Sequence, residues 1–408
     1  MLDIYLYVFT TGFVWILIGT AVGILVGAIP GLSGAVVISL ALPTTYFMDG
    51  ADALLLLISM YIGATTGGLI SATLMRMPGT ESAIMTTLDG YPMAAGGQPA
   101  RALGLGVLAS FVGGLIAWAI LAALSPPLSL VAVRFGPYEI FAMTVVALTL
   151  IAAVSRGSLL NGLLAAALGA LLSMPGIDPV SGSLRLTFGL SSLDNGFALL
   201  PVILGVLVLG QVLVDCESGG NPPMERARGS ARVAMRLRDL RDYAGTFISS
   251  SLIGSWIGIL PGVGGTTASI AAYSVTKAVS KHPERFGHGE ARGIIAAETA
   301  NNAGTVGALV PLITLGIPGS VITAILLGAM VIHNLNPGPL LFAENPEIAY
   351  TVIAGAFAAN VAMLGIMWVA TPLLSRLMYV NKFYLFPAIV VFCFIGAFTV
   401  SSRFFDIW

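Results

Sequence analysis

Four Pro-Gly steps interrupt apolar sequence, and each is followed by hydroxyls or more glycine: Pro30-Gly31-Leu32-Ser33-Gly34, Pro78-Gly79-Thr80-Glu81-Ser82, Pro261-Gly262-Val263-Gly264-Gly265-Thr266-Thr267 and Pro318-Gly319-Ser320. A helix broken in an apolar medium leaves backbone N–H and C=O groups unpaired at considerable cost. Such breaks persist only inside protein or against a polar cavity. The helix that follows each break offers free N–H groups and about half a positive elementary charge, which suits a carboxylate. Glycine at 31, 34, 262, 264 and 265 lets a ligand approach the main chain and permits positive φ. The hydroxyls of Ser33, Thr80, Ser82, Thr266, Thr267 and Ser320, with the released carbonyls, suit Na+. The Pro-Gly steps and these residues, together with Asn301 and Asn302, are the candidate substrate-binding set, able to hold an anion and a cation together.

Two carboxylates in apolar surroundings are candidates for ion coupling, because burying such groups is costly. Glu81 follows the second break and Glu298 precedes Asn301-Asn302 on a helix of small residues. The structural alternatives are a helix cap for Glu81 and an ion pair with Arg292 for Glu298. Arg76 and Arg101 read as interface anchors whose stems snorkel, Asp89 as a loop residue, and His333 as a hydrogen-bonded structural histidine. Gly19, Gly23 and Gly27, at four-residue spacing, also describe a small-residue packing face. The division expected is that Gly19 to Gly27 pack and that Pro30 onward binds.

The elements that must carry these breaks are membrane helices. Apolar residues make up 57% of the 408 and charged residues 9%, against about 25% charged in soluble domains. Runs such as Leu103 to Leu124, Ile140 to Val154 and Leu199 to Val214 approach or reach the ~17–25 residues of a spanning helix, and run length predicts about ten crossings plus re-entrant pieces. Met1-Leu2-Asp3 has no basic n-region, so the N-terminus reads as a first span with Ile4 to Ile29 crossing outright.

The breaks also recur. Gly23-x3-Gly27-x2-Pro30-Gly31 returns as Gly254-x3-Gly258-x2-Pro261-Gly262, and Gly67 with Pro78-Gly79 returns as Gly307 with Pro318-Gly319. Broken apolar segments at matching places in two halves are the signature of a repeat-built secondary transporter with its site near the midplane. Residues 1–214 form the first repeat and 244–408 the second. The Arg-rich stretch 215–243 (Arg226, Arg228, Arg232, Arg236, Arg238, Arg241) reads as a cytoplasmic linker under the positive-inside rule rather than a nucleic-acid patch. Its tail, Val233 to Leu240, has some amphipathic character. Lys277, Lys281, Arg285 and Arg292 follow the second-half break where Asp49 and Asp52 follow the first, which favours opposite orientations of the halves. Cationic flanks on both sides of Ala244 to Leu260 and Thr266 to Thr276 predict a re-entrant hairpin with its tip at 261–267. The expected fold is thus an all-α polytopic membrane protein of two inverted repeats with broken helices.

Enzyme chemistry finds no support. There is no G-x-S-x-G elbow, metal set or dinucleotide fingerprint, and Gly262-Val263-Gly264-Gly265-Thr266 lacks the P-loop lysine. Cys216 and Cys393 suggest no disulfide framework. No cofactor is expected beyond a coupling ion, Na+ or H+, and no metal site.

The segments Gly27 to Gly34, Pro78 to Ser82, Asp89-Gly-Tyr-Pro92, Leu260 to Thr266, Glu298 to Asn302 and Leu315 to Ser320 resemble the large membrane subunit of tripartite tricarboxylate transporters (the TctA family) over nearly the whole chain. The resemblance implies a multi-pass permease of the bacterial inner membrane. It implies a small membrane subunit and a periplasmic solute-binding protein as partners, carboxylate substrates, and coupling to an ion gradient. Matching Ser155-Arg156 with Ser402-Arg403 leaves about two spans of the first half, judged at ~20 residues each, without counterpart, which predicts a truncated second half. The rival expectations are a stand-alone Na+- or H+-coupled carboxylate carrier and a channel or scaffold subunit without coupled transport.

Overall fold

In a computed structural model of the chain, the residues described are 2–29, 32–154, 159–178, 182–217, 233–377, 386–401 and 403–407. Pro30, Gly31, Ser155, Arg156, Arg226, Arg228, Arg232 and Ser402 lie outside them. The first half runs through α1 (Leu2–Phe9), α2 (Phe13–Gly27), α3 (Gly34–Thr45), α4 (Gly50–Met75), a 3-10 turn (Glu81–Ala83), α5 (Thr86–Ala95), α6 (Pro99–Ala132), α7 (Pro137–Val154) and α8 (Leu159–Leu172). A two-stranded sheet pairs Gly176–Ile177 with Leu184–Arg185, and α9 (Leu199–Ile203) leads through a π-helical stretch, Leu204–Leu209, into α10 (Gly210–Glu217). Next come α11 (Arg238–Asp242), α12 (Ala244–Ile259), α13 (Gly264–Ala278), α14 (Ala291–Gly307), α15 (Leu309–Leu315), α16 (Val321–Ile332), α17 (Leu341–Glu344), α18 (Pro346–Leu377) and α19 (Phe386–Ser401). The fold is all-α in its body.

At the centre lie α4, buried from Ala53 to Met75, and α14, buried from Gly293 to Gly307. Asp49 starts α4 by accepting the Ala51 N–H, which satisfies one of the donors that a helix start leaves open. The helix stops at Arg76, in the left-handed conformation (φ 55°), just before Met77-Pro78. Helix α15 stops in the same way at Gly316 (φ 69°), before Ile317-Pro318. In both halves proline, which lacks an N–H and restricts the preceding residue, prevents the helix from continuing.

Glycine then lets each hairpin press on its central helix, and the contacts match pair by pair. A Cβ placed on Gly23 would lie 2.3 Å from the Met60 carbonyl oxygen, and one on Gly254 would lie 2.5 Å from that of Ala300. A Cβ on Gly27 would lie 2.1 Å from the Ala64 carbonyl oxygen, and one on Gly258 would lie 2.4 Å from that of Gly304. Gly67 lies against Ile24 as Gly307 lies against Ser255, and Gly79 against Gly27 as Gly319 against Gly258. Each pair is carried onto the other by the offsets that take Pro30 to Pro261 and Pro78 to Pro318. Thr65 and Thr305, equivalent under the second offset, hydrogen-bond to each other at 3.2 Å.

Exposed apolar side chains, among them Phe141, Leu164, Trp256, Trp368 and Val369, cover the outside, a surface suited to hydrocarbon. Among the described residues, three helices (Gly50–Met75, Pro99–Ala132 and Pro346–Leu374) are long and apolar enough to span a bilayer, or four with the pair α1–α2; seven shorter apolar helices of 10–17 residues accompany them. This is fewer than run length predicts, because breaks divide the apolar runs. Ile4 to Ile29 is one such run: it bends by 49° between α1 and α2.

Other local expectations are also corrected. Val233 to Leu240 is helical only at its end: the Ala234 N–H donates to the Ala100 carbonyl at 2.9 Å, and helix begins at Arg238. Arg101 does not snorkel but pairs with the buried Asp239 and ties this tail to α6. Asp89 lies on α5, fully buried, where it accepts the N–H groups of Gly287, Gly289 and Glu290 at 2.8–2.9 Å and the Tyr273 hydroxyl at 2.8 Å.

Candidate functional site

The segments that follow the breaks converge on one cavity of about 780 Å³. Ser33 and Gly34 come from the start of α3, Thr80, Glu81 and Ser82 from the 3-10 turn, Gly262, Gly264, Gly265, Thr266 and Thr267 from the start of α13, and Ser320 from the start of α16. Asn301 lines the cavity from α14. Of the other candidates, Pro78, Gly79, Pro261, Asn302, Pro318 and Gly319 are not among its lining residues. The close approaches to Gly27 and Gly258 give Gly79 and Gly319 a packing role. Asn302 points into the core, where it accepts the Thr66 hydroxyl at 2.8 Å.

Several lining residues have no place in the candidate set. Tyr61 and Thr65 come from α4 and Thr305 from α14, while Val206, Leu207, Gln211 and Val214 form a wall between α9 and α10. The Tyr61 and Ser320 hydroxyls lie 3.1 Å apart. The signal for Tyr61 is in the sequence, since the second repeat offset carries it onto Asn301.

The helix starts around the cavity differ in what they leave free. Ser33 accepts the Val36 N–H at 3.3 Å. Ser320 and Thr323 form a reciprocal capping box, with the Ser320 N–H donating to Thr323 Oγ1 at 2.7 Å. At α13 the capping position is Val263, which has no side-chain acceptor. The turn before it needs glycine, because Gly262 and Gly264 take φ of 75° and 69°. Asn301 is 0% exposed, and neither amide atom makes a hydrogen bond of normal geometry, although the Glu298 carboxylate on the same helix lies within interacting reach; an under-satisfied buried polar group is costly. Among the described lining residues Glu81 alone carries a charge.

Glu298 lies outside the cavity wall, one helical turn from Asn301 on α14, and is 0% exposed. It accepts the hydroxyls of Thr86 on α5 and, at 3.2 Å, Ser110 on α6. The ion pair with Arg292 does not form, and no other cation among the described residues pairs with it.

A second basin, of about 980 Å³, contains Asp3, Asp49, His333, Glu344 and Glu347. Burial holds His333 below the ordinary histidine range against the opposing pull of Asp49. Among the described residues the basin is lined by acidic side chains and by no Lys or Arg.

An all-helical body with an apolar exterior and a polar cavity at its internal chain breaks defines a multi-pass membrane protein of the transporter class. Its family follows from comparison. The chain belongs to the tripartite tricarboxylate transporter TctA family, whose profile matches residues 13–408. It is 35% identical over 398 residues to an uncharacterized 52.8 kDa protein in the TAR-I ttuC' 3' region of Agrobacterium vitis, covering 97% of this chain and 78% of that protein. It is 36% identical over 155 residues to an uncharacterized protein in the TAR-II ttuC' 3' region of the same organism, covering 38% of this chain and 64% of that one. No solved structure matches it. Membership makes the chain a component of tricarboxylate transport, in a family of transporters rather than enzymes.

Proposed function

We propose that this chain is the permease subunit of a binding-protein-dependent transporter for tricarboxylates or related carboxylates. We place it in the bacterial inner membrane, where it is driven by a Na+ or H+ gradient and works with a small membrane subunit and a periplasmic binding protein. The observation that carries this is the convergence of the segments following the breaks on one cavity, beside a buried asparagine whose amide makes no hydrogen bond of normal geometry. Helix starts and hydroxyls there hold the carboxylate. Their carbonyl and hydroxyl oxygens provide for a cation.

The halves are inverted repeats related by the axis through Thr65 and Thr305, and the cations of the loop from Lys277 to Arg292 face the cytoplasm. Helices α12 and α13, with 16 and 15 residues, are about 24 and 22 Å long at 1.5 Å per residue. Both fall short of a ~30 Å hydrocarbon core, which supports a re-entrant hairpin with its tip at the cavity. Alternating access is movement of the two hairpins, α2–α3 and α12–α13, against the remaining scaffold.

Glu298 is the coupling residue in this scheme. A carboxylate buried among hydroxyls without a cation is expensive to keep, and an arriving proton or Na+ relieves that cost. Glu81, at the cavity wall, is the second coupling candidate.

The test is uptake of labelled citrate into proteoliposomes containing the chain and its two partner subunits. Accumulation that requires the binding protein and collapses with an ionophore supports the proposal. Accumulation without the binding protein would make the chain a stand-alone carrier, and passive equilibration would make it a channel.

A further inference from the structure

The two sides of the cavity are equivalent by repeat but not in chemistry. On the first-repeat side Ser33 caps α3, and Tyr61 meets the Ser320 hydroxyl. The offset carries Ser33 onto Gly264, which has no side chain to cap α13, and Tyr61 onto Asn301, whose buried amide makes no hydrogen bond of normal geometry. At this first pair of breaks the first-repeat helix start is capped and the second-repeat one is open, the reverse of the second pair, where Ser320 caps α16 and Thr80 makes no capping bond. Gly265 lets the start of α13 approach the Asn301 side chain, since a Cβ there would lie 3.0 Å from Asn301 Oδ1. Glu81, the one charged side chain among the described lining residues, comes from the first repeat.

We infer that the substrate's carboxylate docks off the repeat axis, between the start of α13 and the Asn301 amide. The N–H groups of the first turn of α13 and Asn301 Nδ2 donate to its oxygens, while the Glu81 side takes the uncharged part of the substrate or the accompanying cation. An open helix N-terminus with one amide donor recognises a single carboxylate. Any further carboxylate on the substrate would have to be balanced by a cation bound with it, because no Lys, Arg or His among the described residues lines the wall. This inference rests on the cavity being the carboxylate site.

The experiment is calorimetric titration of the purified chain with citrate, succinate and benzoate, comparing the wild type with Asn301→Asp, Gly265→Ala and Tyr61→Phe. Asn301→Asp places a negative charge beside the head group and should weaken binding by about 100-fold or more, since like charges side by side cost several kcal/mol. Gly265→Ala should weaken it about tenfold by wedging Asn301 away from α13. Tyr61→Phe should change it by no more than about threefold. If Asn301→Asp fails to fold, Gly265→Ala carries the test. Wild-type-like binding by either of the first two, or an equal loss in Tyr61→Phe, overturns the inference while leaving the cavity as the site. Wild-type protein that binds none of the three acids overturns the site itself.

Discussion

The first and second halves share a packing scheme and differ at the cavity. The shared part is glycine against carbonyl: Gly23, Gly27, Gly67 and Gly79 find the same partners as Gly254, Gly258, Gly307 and Gly319. The difference lies in the side chains on that frame. Tyr61 stands where the second half has Asn301, Ile58 where it has Glu298, and Ser33 where it has Gly264. Backbone packing preserves where the breaks meet, and a few side chains then give the halves unequal work.

The most severe way to challenge the comparison is to crowd both hairpins. Gly27→Val and Gly258→Val each force a branched side chain onto a carbonyl, at a cost of about 3 kcal/mol or more. Both should remove most of the folded protein from membrane fractions, as measured by detergent-extracted monodisperse material. A normal yield from one alone would break the pairing.

Glu298→Gln should come next. It keeps the shape and the hydroxyl contacts but removes the charge. Gradient-driven uptake in proteoliposomes should fall at least about tenfold, a scale set by hydrogen bonds to a charged group. Carboxylate binding measured by calorimetry should change far less. Loss of binding to the same extent as uptake would make Glu298 structural.

The smallest effects concern the stops of α4 and α15. Arg76→Gly should raise thermal stability by up to about 1 kcal/mol, since a non-glycine residue in the left-handed region costs about 1–2. Loss of its contact over the Tyr91 ring, 5.8 Å away, offsets part of that gain. Gly316→Ala should lose at least as much, because a Cβ there would also lie 2.9 Å from the Pro337 carbonyl oxygen. Thermal unfolding midpoints of the purified variants decide both, and a shift of the same sign in the two would contradict the matched stops.

How much of this was legible in the sequence varies with the kind of interaction. Pro-Gly steps announce broken helices because proline and glycine act locally, and the matched spacing exposed the repeat. The glycines were read partly as packing and partly as binding, and Gly79 proved to belong with packing because its neighbour, Gly27, is far away in sequence. Tyr61 escaped notice because a tyrosine in an apolar run has no local signature, although the offset maps it onto Asn301. Asp89, Arg101 and Glu298 were misplaced or mispaired for a common reason. Their partners, Gly287 to Glu290, Asp239, and Thr86 with Ser110, come from distant segments that only tertiary folding brings near.

The central claim is that breaks from both halves enclose one carboxylate. Single cysteines at Ser33 and at Thr266, introduced after Cys216 and Cys393 are replaced, report on the two walls. The measurement is the rate at which a small polar thiol reagent labels each, with and without saturating citrate. Slower labelling at both positions in the presence of citrate, and unchanged labelling of a cysteine at Glu284 in the exposed polar loop, is the predicted result. Citrate that is transported yet slows labelling at neither position would contradict the account.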